Sequence, residues 1–419
     1  MKMIQMLILS GTLATVAATS AAHVTIRSCV QDQSSQRVTV SYSVDTPVIV
    51  TADVRTNRGD GAYFPVASRD LRFMVGEIDK LVTNVNTTVT FTWKPEMTLG
   101  SLADVQVAVT AWETNAPPTF MVYNLLDMEQ VRYYVDEDRL PYPLTDDIYK
   151  TEWLAFRKIP AKDVTWRMGV KEGDSPSQSK ILSDPHDVTF TDDYYMGVYP
   201  VTVRHWQLAV RCGDPTGSDY SKSTTDRRRA VWSTSYNYLR GGTGDGIDWP
   251  TTKHEVKSGS PIDSMRGYLG IEVDLPTEAQ WEYAARAGVG SPIYSGETAN
   301  ETNVAKLAQY QGNVPVNASQ PVGEKSGNVW GLYDFYGNVY EWCLDWMDYD
   351  LYLKNYPTTD PKGLLEATAK GTRAMRGGAW NSGWSECVSA YRNPVAPNSN
   401  WANLGFRVAA PAVAPHRAK

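Results

Sequence analysis

Between His23 and about Glu113 the chain alternates apolar and polar side chains with a period of two. The runs RVTVSYSVD from Arg37, PVIVTADVR from Pro47, TTVTFTWKP from Thr87 and VQVAVTAW from Val105 are rich in valine and threonine. Successive side chains of a strand point to opposite faces, so this pattern predicts half-buried strands. Asp45-Thr46-Pro47 and Arg58-Gly59-Asp60-Gly61 supply turns between them. Several short strands at this spacing predict an all-β sandwich of immunoglobulin or fibronectin type over residues 23–118. The buried-Trp-plus-disulfide signature of antibody domains is missing, and a spacer or docking role is the plain expectation for this part.

Thr114–Phe120, with its two prolines, reads as a linker. Residues 119–150 form a transition segment rich in tyrosine and acidic residues, and EWLAFRKIPA predicts a strand entering the next domain. From 151 to 411 the pattern is mixed, and 412–419 is a tail. Two stretches read as helices, Arg204–Val210 and Thr277–Gly288. The second opens with Pro276, then Thr277 as N-cap with Gln280 three residues on, a capping box, and closes at Gly288. Around them lie long Gly, Asn, Trp and Tyr stretches with little period. A domain with so much irregular chain needs other supports: ions, disulfides or aromatic packing.

The first residues change the picture. Lys2, an apolar run from Met3 to about Ala18, and Ser20-Ala21-Ala22 make residues 1–22 a secretory leader cleaved after Ala22. The run is shorter than the ~20 residues of a membrane span. A secreted or periplasmic protein, not membrane-spanning, is the expectation. Its composition, with 14 Trp and 24 Tyr, is that of folded domains. The net charge of −7 gives no basic footprint, which excludes a nucleic-acid partner. Export permits disulfides among Cys29, Cys212, Cys343 and Cys387, and four cysteines allow three pairings.

Five stretches occur in order: YYMGVYPVTVRHWQLAV, VDLPTEAQWEYAARAG, WGLYDFYGNVYEWCLDW, RAMRGGAWNSGWSEC and NLGFRVA. Together they resemble the sulfatase-modifying factor family, the formylglycine-generating enzymes, over residues 160–411. The resemblance implies an irregular α+β domain of C-type-lectin-like fold. Its enzymes oxidise a sulfatase cysteine to formylglycine with copper and dioxygen, and hold Cu⁺ between two cysteines five residues apart.

Counted from Gly377-Gly378, those positions are Ser382 and Cys387, so one of the two thiolates is replaced by a hydroxyl. The small hydroxyl residue that follows the glycines in the family is Ala379 here. Copper(I) is soft and prefers sulfur. The resemblance also implies Ca²⁺ at Asp334, Gly337, Val339 and Glu341, and a second site beginning at Asn303 and Val304; hard oxygen donors suit calcium. It further implies that Cys343 and Cys387 lie close in the core, and a Cys343–Cys387 disulfide is expected. A bridge closing a loop of that length is typically worth about 3–4 kcal/mol. Cys29 and Cys212 would remain.

The iron-dependent branch of the superfamily uses a histidine triad, and His23, His186, His205, His254 and His416 are scattered without HxxxH spacing. Two functions then compete. One is a formylglycine-generating oxidoreductase acting on an exported sulfatase. The other is a non-catalytic C-type-lectin-like module that binds glycan or protein ligands through loop aromatics such as Trp380, Trp384 and Trp401. A calcium-stabilised structural protein ranks third.

Overall fold

A computed structural model of the 419-residue chain describes residues 3–8, 24–32, 37–57, 62–66, 71, 74–93, 104–127, 131–170, 185–210, 226–241, 256–315, 317–347, 358–361 and 371–415. The chain divides into two units. The first comprises Met1–Val122, Glu129–Leu144 and Ala412–Ala414; the second comprises Tyr123–Met128, Thr145–Pro411 and Pro415–Lys419. The transition segment 119–150 is thus shared between them. Cys212 and most of residues 1–22 lie outside the described residues.

The first unit is the expected all-β sandwich. One sheet carries Asp104–Trp112 beside Val48–Asn57, with Tyr63–Pro65 and Lys80–Val82 on the latter's far edge. The other orders Val24–Asp32, Arg37–Val44, Val89–Trp93 and Val75–Gly76. The pairings between these described strands are antiparallel. Val38, Val40, Tyr42, Phe91, Val50, Ala52, Val54, Val107 and Val109 share one buried core, as the period-two pattern requires. Met3–Ile8, within the expected leader, pairs antiparallel with Asp104–Trp112, Met3 opposite Ala111 and Ile8 opposite Gln106.

The second unit is α+β with short helices and much irregular chain. A four-stranded sheet orders Arg392–Val395, Thr372–Arg376, Tyr340–Met347 and Leu404–Gly405, the last pair parallel. Trp153–Ile159, Tyr194–Gly197 and Ala409–Pro411 run antiparallel in another. The capping box is present: Thr277 accepts from the Gln280 amide and Gln280 returns to the Thr277 amide. The helix ends at Arg286, with Ala287 left-handed before Gly288. The Arg204–Val210 stretch opens as one α-turn capped by Thr202 and widens into a π-turn over Trp206–Val210. Among the described residues no helix is long and apolar enough to cross a membrane.

All eight residues of Tyr340–Met347 are buried, three of them acidic or thiol-bearing: Glu341, Cys343 and Asp345. Arginines compensate the acids around this strand. Arg376 pairs with Glu282 and Glu278, Arg392 with Glu278, Arg286 with Glu282, and Arg407 with Glu341. Every one of these side chains is buried. Such pairs add little net stability over apolar packing, but breaking one leaves an uncompensated charge. They fix the capped helix against the sheet.

Candidate functional site

The loop that follows Thr372–Arg376 can turn only because two glycines stand there. Gly377 and Gly378 have φ of 95° and 74°, the left-handed region. A Cβ on Gly378 would sit 2.7 Å from the Cys387 sulfur, so the loop closes directly over that thiol. The Gly337 amide donates to the Gly377 carbonyl at 2.8 Å, and the Trp380 amide to the Asn338 carbonyl at 2.9 Å. The glycine loop and the Asp334–Glu341 loop are therefore one hydrogen-bonded body.

Ser382 is buried beneath this turn. Its hydroxyl accepts from the Ala379 amide at 3.1 Å and donates to the Tyr340 hydroxyl at 2.9 Å. Tyr340 in turn donates to Glu386. Burial and the neighbouring Tyr391 push the Tyr340 phenol far up, and Tyr391 is itself raised to about 12 by burial and Glu386. Cys387 is fully buried; burial first, then Glu386, raise its thiol well above the usual range. The site is thus a neutral hydrogen-bonded chain of hydroxyls ending on one carboxylate, beside a protonated thiol.

Copper does not fit this donor set. Copper(I) seeks thiolates. Only Cys387 offers sulfur, and the second position offers a hydroxyl already engaged on both sides.

The expected Cys343–Cys387 disulfide is absent: both are free, buried thiols. The face of the strand explains it. Glu341 and Asp345 reach the capped helix, accepting from Trp281 Nε1 and the Glu278 amide, and Cys343 lies with them. Tyr340 points to the opposite face, toward Ser382 and Glu386, where Cys387 sits.

The calcium positions behave differently from one another. Asp334 is buried, accepts from Gln309 Nε2 at 3.2 Å and the Gly323 amide at 2.6 Å, and forms no direct ion pair among the described contacts. Burial raises its carboxyl to about 6, against the pull of the Gly323 amide and Arg407, and the Glu341 carboxylate adds to the rise. Glu341 is already matched by Arg407, so the two acids share one cation. Asp334 and Glu341 are thus a buried pair of acids served by one arginine. Asn303 and Val304 do not make a comparable set. Val304 is buried in the helix Glu301–Leu307, and the Asn303 carbonyl oxygen accepts from the Lys306 ammonium at 2.9 Å. Among the described residues, no three His, Cys, Asp or Glu side chains converge as a metal site.

Sequence reasoning missed Tyr340, Glu386, Tyr391 and Arg407. All but Tyr391 stand inside the quoted motifs, but nothing in their spacing shows that they meet. His205 is buried, its Nε2 3.2 Å from the Trp153 carbonyl, and burial lowers it to about 4, consistent with a packing role.

Comparison with known proteins gives a family match. The model of the sulfatase-modifying factor enzyme 1-like domain matches residues 160–412. The formylglycine-generating enzyme of Streptomyces coelicolor is 37% identical over 147 residues, 32% of this chain and 46% of that protein. The serine/threonine-protein kinase pkn1 of Chlamydia caviae is 32% identical over 235 residues, 54% of this chain and 34% of the kinase. The chain thus spans between about a third and a half of the length of these relatives. Among solved structures, PvdO from Pseudomonas aeruginosa is similar at 23% identity and a TM-score of 0.49, over 61% of this chain and 94% of PvdO.

Proposed function

We propose that this chain, which belongs to the sulfatase-modifying factor family through residues 160–412, engages a partner at the Gly377–Cys387 loop without copper-dependent oxidation. The observation that carries the reading is the Ser382 hydroxyl, bonded to the Ala379 amide and to Tyr340 where a copper thiolate would be needed. The family supplies the recognition half of the function. The resemblance points to an exported sulfatase, or another protein or glycan ligand, met after a leader at residues 1–22 has directed secretion or transfer to the periplasm. Asp334 and Glu341, with the Gly337 and Val339 carbonyls, would hold calcium. The ion would supply positive charge to a buried carboxylate pair and stiffen the loop that carries the glycine turn.

The oxidase is the second reading, and one observation favours it. Cys387 stands at a family copper position, unbridged, against Gly378. One experiment separates the two. The purified, leader-free protein is titrated with Cu(I) against a chromophoric chelator, then incubated with a sulfatase-motif peptide in air and assayed for aldehyde. The binding reading expects no stoichiometric copper and no aldehyde. Formation of formylglycine would replace it with the oxidase.

A further inference from the structure

Two loops meet beside Ser382. The Trp380 indole N–H donates to the Ala402 carbonyl at 3.4 Å, and the Asn403 amide N–H donates to the Asn381 carbonyl oxygen at 2.8 Å. These bonds tie Gly377–Ser385 to Asn393–Phe406. Neither stretch contains a charged residue, although 21% of the chain is charged. The aliphatic and phenyl side chains Val395, Leu404 and Phe406 are buried. What the rim offers to solvent is aromatic and amide. Trp401 is 50% exposed, the most exposed aromatic side chain among the described residues. Asn381, Asn398 and Asn400 are exposed around it.

From this chemistry we infer that the rim binds a neutral saccharide, with Trp401 as the stacking platform. An indole face packs against the C–H face of a pyranose while the ring hydroxyls stay wet. Large, rigid aromatic area with a polar surround is the pattern that suits such a ligand. Primary amides present a donor and an acceptor side by side, which matches vicinal hydroxyls. Within these two stretches a charged ligand finds no counter-charge, and the adjoining Glu386 is already engaged by Tyr340. An apolar peptide finds no open apolar recess, because the greasy side chains face inward. The proposal goes beyond the reading of the Ser382 loop, and it stands whether that loop proves to be an oxidase or not.

The test is a tryptophan-fluorescence titration of the leader-free protein with maltoheptaose, cellohexaose, mannohexaose and chitohexaose. Heparin, sialyllactose and an uncharged dodecapeptide serve as comparators. At least one neutral oligosaccharide gives a saturable change. Trp401→Ala weakens that affinity by about tenfold or more, as loss of one stacked ring should. Asn381→Ala, at an exposed position that leaves the fold intact by circular dichroism, weakens it several-fold. The inference is overturned if no neutral saccharide on a glycan array binds, or if folded Trp401→Ala binds as wild type. A response confined to heparin, sialyllactose or the peptide overturns it equally. The copper and aldehyde assays are unaffected by any of these results, so the two readings fail separately.

Discussion

The Ser382 hydroxyl donates to the Tyr340 hydroxyl at 2.9 Å, joining the glycine loop to the buried central strand. Tyr340 passes the interaction on to Glu386. A residue that stands at a family metal position here serves as a strut between two segments. Ser382→Ala removes one donor and leaves the Ala379 amide without its acceptor. The expected cost is about 1–3 kcal/mol, read as a lowered denaturant midpoint. Ser382→Cys should cost no more and should create the missing sulfur. Copper(I) uptake should rise from substoichiometric to near one per chain under chelator competition. If Ser382→Cys takes up no more copper than wild type, the copper positions have been wrongly assigned.

The capped helix and the sheet are joined by buried charge pairs. Glu282 accepts from Arg286, Arg376 and the Gly169 amide, all buried. Burial works against its ionisation, but Arg286 and Arg376 outweigh it and the carboxyl lies below its usual range. Glu282→Gln leaves two buried guanidiniums short of counter-charge, and a loss of about 3–5 kcal/mol is expected. Because the folded value is depressed, the contribution is present above the unfolded carboxylate range and is lost as pH falls below it. Urea midpoints of wild type and variant should therefore converge toward low pH. Parallel curves would show that the pair does not carry this energy.

Much of this architecture was legible in the sequence, and the reason is periodicity. Arg37–Val44 and Val48–Asn57 alternate because one face meets the sandwich core and the other meets water. The Thr277–Gln280 box was legible because both its bonds are local. The central strand was not. Tyr340–Met347 is buried on both faces and shows no period, and the Arg407 partner of its Glu341 comes from distant sequence. The disulfide expectation failed for the same reason: motif proximity does not tell which face of a strand a cysteine occupies. The Ser382–Tyr340–Glu386 chain spans three segments, and nothing local encodes it.

In the first unit, pH acts through Asp79. Its backbone is left-handed, with φ of 57°, and it is buried. Burial pushes its carboxyl up to about 7; Arg139 and Arg132 pull it back, and Asp53 adds to the rise. The folded value lies above the unfolded one near 4. Stability is then fully present below about pH 4 and is lost as pH rises toward 7, by a few kcal/mol in all. Asn also tolerates a left-handed backbone, so Asp79→Asn should flatten the dependence without strain. Hydrogen exchange in Val48–Asn57 at several pH values reads this directly. An unchanged pH slope in Asp79→Asn would rule Asp79 out as its source.

The last prediction concerns the Asp334–Glu341 pair. Arg407 contacts both oxygens of Glu341, and no cation contacts Asp334 directly among the described residues. A buried, singly compensated pair of acids is stabilised by a further cation, and oxygen donors with a tight glycine turn favour calcium over softer ions. Calcium at ten times its Kd should stabilise the folded chain by about 1.4 kcal/mol through mass action, seen as a raised melting temperature, and EDTA should reverse it. Asp334→Asn removes the charge that asks for the ion and keeps one acceptor oxygen, so one of the two donors, Gln309 Nε2 or the Gly323 amide, loses its partner. That variant should fold and melt at one temperature with or without calcium. Asn303→Ala, at the position whose oxygen Lys306 already occupies, should keep the full calcium response. If Asn303→Ala lost the response and Asp334→Asn kept it, the ion would belong to the helix Glu301–Leu307 rather than to the loop that supports the glycine turn.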